Sequence, residues 1–265
     1  MKFSIVANPK QSNMKKILTK VIGFLEDFDL EEETAKIVGL TGNPIAELQG
    51  DIVISLGGDG TLLHILSNLN KPVFGINCGG VGFLTAMEHS EDLFSAFKRL
   101  ESKNYELQKV HRIDAFINDL HIGTALNEVV LHSSRVAKIQ GFEIKIDGSV
   151  ADSFRGDGLI IATPTGSTSY AMSLGGPILY PTLESHIIVP MAAYRIGARP
   201  LVIPSKYEIR ARITGHPEAV MVIDGQDEIM IKKEDKLHFK QSKEPVELVR
   251  FKDDFFDRVQ NKLRS

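Results

Sequence analysis

The spacing of apolar residues changes near residue 107 of this 265-residue chain. Before that point, short apolar runs at Lys2–Ala7, Asp51–Leu56 and Pro72–Ile76 alternate with segments in which apolar residues recur every three or four positions. Short runs of this kind are typical of strands buried on both faces of a parallel sheet, and the longer spacing is typical of amphipathic helices. The first part of the chain therefore predicts a parallel α/β domain.

Two of the helices predicted between these strands have a serine as candidate N-cap. Ser12 precedes a segment whose periodic apolar residues continue to Phe28, and Ser90 precedes one that continues to Leu100. Serine is a favoured N-cap because its side-chain oxygen can accept an N–H of the first helical turn. We therefore expect one helix after Ser12, with Phe28 on its apolar face, and another after Ser90.

Beyond residue 107 the apolar residues alternate with polar ones, which is the pattern of antiparallel strands. Asp147–Gly148 and Asp224–Gly225 each separate two such segments and predict hairpin turns. The fold class is thus α/β, with a Rossmann-like domain over residues 1–106 and a second, β-rich antiparallel domain over 107–245. The tail, residues 246–265, is expected to form a helix that packs back on the first domain through Phe251, Phe255, Phe256, Val259 and Leu263.

Composition excludes several classes of protein. A net charge of -3 argues against a general binder of nucleic acid or of membrane surfaces, although it leaves room for local basic clusters. No apolar run approaches the roughly 18–20 residues that span a bilayer, and a single cysteine excludes an internal disulfide framework. The apolar run in MKFSIVANPK is too short for a signal peptide. We expect a cytoplasmic protein with no nucleic-acid or membrane partner.

The stretch IVISLGGDGTLLHIL, residues 52–66, joins a predicted strand to a predicted helix through GGDG at residues 57–60. In open α/β sheets ligands bind at the carboxyl ends of strands, where the N-terminus of the next helix attracts phosphate. Glycines at such a turn can adopt positive φ and approach phosphate oxygens closely. Asp59 could accept a proton from an attacking hydroxyl or hold a divalent cation. Alternatively, Asp59 only caps a helix that starts at Thr61.

Further motifs follow GGDG along the chain. They are NCGGVGFLT at residues 77–85, ALNEVV at 125–130, FRGDG at 154–158, TPTGSTSY at 163–170 and SLGGPILYP at 173–181. In order and approximate spacing, these motifs resemble those of the NAD kinase family, in particular its bacterial members. The resemblance covers about residues 51–225. It implies transfer of the γ-phosphoryl group of ATP, or of a phosphoryl group of polyphosphate, to the adenosine 2′-hydroxyl of NAD, giving NADP.

The resemblance also implies roles for individual residues. Asp59 is implied as the general base, and Asn127 with Glu128 as the pair that binds sugar hydroxyls of the dinucleotide. Neighbouring residues of a regular strand face opposite ways, so both can reach one ligand only at a strand end or a bulge. The other predicted nucleotide-binding residues are Gly57, Gly58, Gly60, Phe83, Arg155, Asp157, Thr168, Ser169, Tyr170 and Asp224.

Several of these candidates have an equally simple structural explanation. Arg155 could pair with a carboxylate, Phe83 could pack in a core, and Asp224 is explained by a hairpin turn alone. Three further cations lie in or near IGARPLVIP and could reach a phosphate, although a solvated strand end is the favoured explanation for them; they are Arg195, Arg199 and Lys206.

The implied chemistry needs a cation but no dedicated metal centre. Phosphoryl transfer depends on positioning and charge neutralisation, and Mg²⁺ on the donor phosphates tends to keep water and to use substrate oxygens as ligands. The eight histidines lack a metal-ligand spacing such as H-E-x-x-H, so no protein metal ligands are predicted. The implied partners are NAD, Mg²⁺ with ATP, and further copies of the chain in a homodimer or homotetramer.

Three other functions share part of this pattern. A lipid kinase of the diacylglycerol or sphingosine type also has GGDG and a β-rich domain, but the polar Asn127–Glu128 and TPTGSTSY segments suit a sugar and a purine better than an acyl chain. A phosphofructokinase-like enzyme should have a sugar-phosphate site, and none is recognisable. A regulator that binds dinucleotides without catalysis should lack Asp59, which is present.

Overall fold

Strands and helices alternate through the first 110 residues, and strands dominate most of the remainder. In this computed structural model, which describes residues 1–80, 82–194, 197–252 and 254–263, the chain divides into two units. Unit 1 comprises Met1–Lys109 and Val246–Ser265, and unit 2 comprises Val110–Pro245.

The elements are numbered along the chain. The first ten are β1 (Phe3–Ala7), α1 (Met14–Ile22), β2 (Phe28–Leu30), α2 (Glu32–Val38), β3 (Ile52–Gly57), α3 (Asp59–Asn68), β4 (Val73–Asn77), β5 (Met87–Glu88), α4 (Leu93–Glu101) and β6 (Glu106–Val110). The others are β7 (Ile113–Ile117), β8 (Leu120–Ala125), β9 (Glu128–Ser133), β10 (Gln140–Ile146), β11 (Ser149–Gly156), β12 (Gly158–Ala162), α5 (Tyr170–Ser173), β13 (Ser185–Met191), β14 (Leu201–Pro204), β15 (Ile209–Ile213), β16 (Glu218–Ile223), β17 (Glu228–Lys232), β18 (Leu237–Gln241), β19 (Val246–Arg250) and α6 (Phe255–Leu263). Two 3₁₀ turns lie at Ile45–Glu47 and Thr165–Thr168.

The sheet of unit 1 has the order β2-β1-β3-β4-β19-β6, and β5 pairs with β4. Its central pairs, β1 with β3 and β3 with β4, are parallel, and every residue of these three strands is buried. The α/β prediction is thereby confirmed. From β1, strand β2 lies on one side, whereas β3 and then β4 lie on the other side. The carboxyl ends of β1 and β3 therefore form a topological switch point, where ligands of open α/β sheets bind.

Two helix starts and one helix end differ from the sequence predictions. The N-cap of α1 is Asn13, in the left-handed conformation, and not Ser12. This helix ends at Ile22, with Gly23 as its C-cap, and Phe28 belongs to β2, where it pairs with β1. Helix α4 begins after Asp92, whose carboxylate accepts an N–H of the first turn, so Ser90 is not its cap.

Unit 2 consists of two six-stranded sheets, with the orders β11-β10-β15-β18-β7-β8 and β14-β13-β12-β9-β16-β17. The antiparallel prediction is confirmed, because the pairs within both sheets run antiparallel. Asp147–Gly148 joins β10 to β11 and Asp224–Gly225 joins β16 to β17, with φ of 47° and 82° in the first turn and 47° and 68° in the second. Positive φ at both central residues is typical of type I′ turns, and the second of these turns lies in a four-residue connection, residues 224–227. One hydrophobic core contains residues of both sheets.

The tail of unit 1 contains both β19 and α6. Strand β19 pairs with β4, and just beyond it the ring of Phe251 lies 5.0 Å from that of Phe74, measured between centroids. Phe255 of α6 is buried, whereas Phe256 is 72% exposed. The side chain of Leu263 lies outside the described residues. Among the described residues no helix is long and apolar enough to cross a bilayer.

Candidate functional site

Asp59 is the first residue of α3, at the switch point of the unit 1 sheet. Asp59 is not the N-cap of the helix, because Gly58 occupies that position and Asp59 is already helical. The carboxylate instead accepts the N–H of Phe83 at 2.7 Å and the N–H of Leu84 at 2.9 Å, one on each oxygen. The capping explanation is therefore wrong, and the carboxylate is fixed by a separate loop.

The glycines of GGDG do not have the positive φ that was expected of them. None of Gly57, Gly58 and Gly60 has positive φ, because GGDG passes directly from strand to helix. Gly57 is required by close packing, since a Cβ there would collide with Thr61. Positive φ occurs instead in the second glycine-rich loop, at Gly79 with 151° and Gly80 with 86°.

A cavity of 510 Å³ opens at the same switch point, within unit 1. Gly58 and Gly60, on either side of Asp59, contribute to its wall. The first N–H groups of a helix have no partner inside the helix and attract anions. Other lining residues are Asn8, Lys10 and Gln11 after β1, Glu31 and Glu33 near the start of α2, and His64 in α3.

Sequence reasoning missed the lining residues outside GGDG. The loop after β1 could have been predicted from the strand pattern. Parallel strands have their carboxyl ends at the same edge of the sheet, so the residues that follow β1 and β3 lie together there. No comparable signal exists for His64, which reaches the cavity from the second turn of α3.

Asn127 and Glu128 are buried at the beginning of β9 in unit 2. Asn127 precedes the strand, which meets the requirement that two neighbouring residues serve one ligand only at a strand end. Asn127 Oδ1 and Glu128 Oε2 are buried without a hydrogen-bond partner, and Glu128 Oε1 accepts the hydroxyl of Ser169 at 3.1 Å. Buried polar atoms are normally satisfied, so these two oxygens are available to a polar ligand.

Asp224 holds the backbone of this segment. Its carboxylate accepts the N–H groups of Leu126 at 2.6 Å, Asn127 at 2.8 Å and Glu128 at 3.0 Å. The hairpin explanation of Asp224 is correct for the backbone, which forms the turn, but it leaves the side chain unexplained. Three N–H donors on one carboxylate fix the direction in which the side chains of Asn127 and Glu128 leave the chain.

Burial shifts the pKa values of the two carboxylates at this site, Glu128 and Asp224. Burial, together with the nearby charge of Asp224, raises the pKa of Glu128 to about 7, and the Ser169 hydroxyl opposes the rise. Burial also raises the pKa of Asp224, against the effect of its three N–H donors.

The TPTGSTSY segment packs directly against Asn127. A Cβ at Gly166 would collide with the backbone oxygen of Asn127, so only glycine permits this approach. The Thr165–Thr168 turn then brings Ser169 to Glu128. Thr168 is half-buried and donates its hydroxyl to the Thr165 carbonyl at 3.2 Å, and Tyr170 is exposed at the start of α5.

Comparison with known proteins identifies the family. The ATP-NAD kinase N-terminal domain matches residues 4–105, and the ATP-NAD kinase C-terminal domain matches residues 126–251. An NAD kinase of Thermoplasma volcanium is 38% identical over 88% of this chain and 86% of its own length. This chain belongs to the NAD kinase family. An NAD kinase of Methanosarcina acetivorans is 40% identical over 87% of this chain and 86% of its own length.

Two solved kinase structures resemble this one. An NAD kinase from Archaeoglobus fulgidus in complex with ATP is 31% identical, with a TM-score of 0.80 over 100% of this chain and 99% of that one. Yeast NADH kinase complexed with NADH has a TM-score of 0.90 over 100% of this chain and 87% of that one. Its identity is 22%, so this second likeness shows the fold alone.

The other residues that the NAD kinase motifs nominate are less constrained. Arg155, near the end of β11, and Asp157, between β11 and β12, are exposed. Phe83 contacts Asp59 through its N–H, and its side chain is half-buried. Lys206 lies over the ring of Tyr207 at 5.4 Å. The remaining two cations are Arg199, which is exposed, and Arg195, which lies outside the described residues.

Proposed function

We propose that this protein is an NAD kinase that transfers a phosphoryl group from ATP to the adenosine 2′-hydroxyl of NAD and so forms NADP. The observation that carries the proposal is the Asp59 carboxylate, which two backbone N–H groups hold at the switch point of the unit 1 sheet. Membership of the NAD kinase family and the unpartnered oxygens of Asn127 and Glu128 support it.

In this reaction Asp59 is the general base. The 2′-hydroxyl oxygen forms a bond to the γ-phosphorus of ATP while the bond from that phosphorus to the bridging oxygen breaks, and the hydroxyl proton passes to Asp59. Because the transition state is loose, the proton leaves late and Asp59 need not be strongly basic. A positioned base contributes about 10²- to 10⁴-fold.

Unit 2 supplies the sugar site in this proposal. The Glu128 carboxylate accepts protons of a vicinal diol, and the Asn127 amide can donate and accept beside it. Ser169 and Asp224 keep the pair in place. The other proposed nucleotide-binding residues are Phe83, Arg155, Asp157, Thr168 and Tyr170.

The donor phosphates are assigned to the 510 Å³ cavity of unit 1. The N-terminus of α3 and the ammonium of Lys10 favour an anion there, and the carboxylates of Glu31 and Glu33 on the same wall oppose it. Among the described residues no group of three or more His, Cys, Asp or Glu side chains could hold a metal ion. In this proposal Mg²⁺ enters as part of the Mg–ATP substrate, because it tends to keep water and to use substrate oxygens as ligands, and it neutralises phosphate charge there.

The cellular setting and the assembly are proposed on the family resemblance. We infer a cytoplasmic enzyme that forms a homodimer or homotetramer, and we keep polyphosphate as an alternative donor to ATP.

The direct test is NADP formation by the purified protein from NAD and Mg–ATP. Parallel reactions contain polyphosphate as donor, or diacylglycerol in place of NAD. NADP formation with ATP is the expected result. A folded protein that binds NAD but forms no NADP with either donor would contradict the proposal, and phosphorylation of diacylglycerol alone would indicate a lipid kinase.

Replacing Gly60 with alanine separates stability from donor binding. The ideal Cβ at Gly60 meets nothing within 4 Å, and alanine favours a helix over glycine by about 0.5–1 kcal/mol. We expect the variant to be slightly more stable, with a KM for ATP raised about fivefold because the methyl group enters the donor cavity. Urea unfolding and steady-state kinetics measure the two effects.

Gly23→Ala is the matched control for this prediction. Gly23 follows α1 with a helical φ of −64°, away from the cavity lining, and should show the stabilisation without the change in KM. An unchanged KM for ATP in Gly60→Ala would argue against donor phosphates in this cavity.

A further inference from the structure

Two buried arginines of the C-terminal segment converge on one carbonyl group of unit 1. Arg250, the last residue of β19, and Arg258, in α6, are 5% and 7% exposed. The Nη1 atoms of Arg250 and Arg258 donate to the carbonyl oxygen of Thr85 at 2.7 Å and 2.9 Å, respectively. A carbonyl oxygen has two lone pairs, so both acceptor positions of Thr85 are occupied by charged donors.

The same peptide unit is held from its other side. The N–H of Ala86, which shares this peptide with the Thr85 carbonyl, donates to the Gly75 carbonyl of β4 at 2.7 Å. Gly75 lets Thr85 approach closely, since a Cβ there would lie 2.9 Å from the Thr85 Cα. The Thr85–Ala86 peptide is thus clamped between a central strand of the sheet and the C-terminal segment.

This peptide follows directly on the two residues that hold Asp59. Phe83 and Leu84 donate their N–H groups to the two carboxylate oxygens, and Thr85 is the next residue. Moving Thr85 would carry these donors with it, because consecutive Cα atoms are a fixed 3.8 Å apart.

We propose that Arg250 and Arg258 are positioning residues for phosphoryl transfer, which fix the Thr85 carbonyl and thereby aim the Asp59 carboxylate through Phe83 and Leu84. The proposal rests on the proposed role of Asp59 as general base. It makes the C-terminal segment part of the machinery of the reaction, although neither arginine touches the carboxylate through the contacts described above.

The arginines are themselves anchored by neighbours in unit 1. Arg258 Nη2 lies 2.9 Å from Asp254 Oδ1, and Arg250 Nε donates to Gln108 Oε1 at 3.1 Å. These contacts orient each guanidinium while Nη1 points to Thr85. A lysine at either position would keep a charge but lose the planar fork that satisfies both partners at once.

The first test is Arg258→Met, with Arg258→Lys as the variant that keeps a charged donor. We expect kcat to fall about tenfold to thirtyfold in Arg258→Met and less in Arg258→Lys, with KM for NAD within about twofold of the parent, because small misplacements of a catalytic group are costly. Amide hydrogen exchange over residues 82–86 should become faster in both variants, which reports the positioning effect independently of activity.

Arg99→Met is the matched control. Arg99 donates to the Phe251 carbonyl at 3.1 Å and lies 4.1 Å from its ring centroid, so it holds the same segment without a contact to Thr85. This variant should lose thermal stability but keep kcat and the exchange rates of residues 82–86.

Combining Arg258→Met with Asp59→Asn separates a positioning role from a general structural one. If Arg258 acts through Asp59, kcat of the double variant should lie within about twofold of Asp59→Asn alone. A further tenfold loss, or a normal kcat in Arg258→Met and Arg258→Lys, would overturn the proposal. Full activity of Asp59→Asn alone would show that Asp59 is not the general base, and the proposal would fail together with that assignment. The other two outcomes leave the assignment of Asp59 intact and overturn only the role of Arg258.

Discussion

Replacing Asp59 with asparagine is expected to lower kcat for NADP formation at least about a hundredfold, with NAD binding within about twofold of the parent. The asparagine cannot accept the hydroxyl proton, and a general base is worth about 10²- to 10⁴-fold. The loss should fall on kcat and kcat/KM together, because the interaction is made only in the transition state. Steady-state rates and calorimetric titration with NAD measure both quantities.

The control for this prediction must account for the hydrogen bonds of Asp59. An amide has one acceptor oxygen, so one of the N–H donors from Phe83 and Leu84 would lose its partner. Asp51→Asn is a matched variant, since Asp51 stands before the opposite end of β3 and also accepts a backbone N–H, that of Lys2 at 3.0 Å. Asp51→Asn should retain full kcat. A fully active Asp59→Asn enzyme would exclude Asp59 as the base.

Replacing Glu128 with glutamine is expected to weaken NAD binding about 10- to 100-fold. Glu128 is 6% exposed, and its Oε2 has no hydrogen-bond partner in the protein. An unsatisfied buried acceptor is unfavourable, so a sugar hydroxyl that reaches Oε2 forms a stabilising charge-assisted hydrogen bond. The amide keeps the shape but loses the charge and one acceptor. The dissociation constant of NAD, measured by calorimetry, reports the change.

The same residue predicts a pH dependence. Burial raises the pKa of Glu128 to about 7, and the carboxylate form accepts hydroxyl protons, so NAD affinity should increase as pH rises through 7. The free energy of unfolding should change the other way. The ordinary pKa is 4.5, so between pH 4.5 and 7 the folded state holds a proton that the unfolded state has lost, and stability falls with rising pH in that window.

Glu128→Gln should abolish the pH dependence of NAD affinity and remove the contribution of Glu128 to the pH dependence of stability, since the amide does not titrate. Glu143→Gln is a suitable control in the same unit, because Glu143 of β10 belongs to the other sheet and lies beside Lys145 at 4.0 Å. NAD affinity that is independent of pH in the parent, or equal in parent and Glu128→Gln, would contradict the proposed role.

The strands and the two kinds of sheet were predictable because they depend on local patterns. Apolar runs such as Ile52–Gly57 must be buried on both faces, and Asp–Gly pairs between alternating segments form tight hairpins. Helix boundaries were less predictable. Ser12 and Asn13 are both acceptable near a helix start, and Phe28 fits a helical face as well as it fits β2; only pairing with β1 decides between them.

The sequence by itself determined the residue types of the candidate site, since a carboxylate in GGDG and an Asn–Glu pair are chemically suited to a hydroxyl and a diol whatever surrounds them. Tertiary structure decided what holds those groups. Asp59 is oriented by amides 24 and 25 residues away, and the backbone of Asn127 and Glu128 by a carboxylate about 97 residues away. Hydrogen bonds over such separations form only once the strands have paired, so no local pattern encodes them.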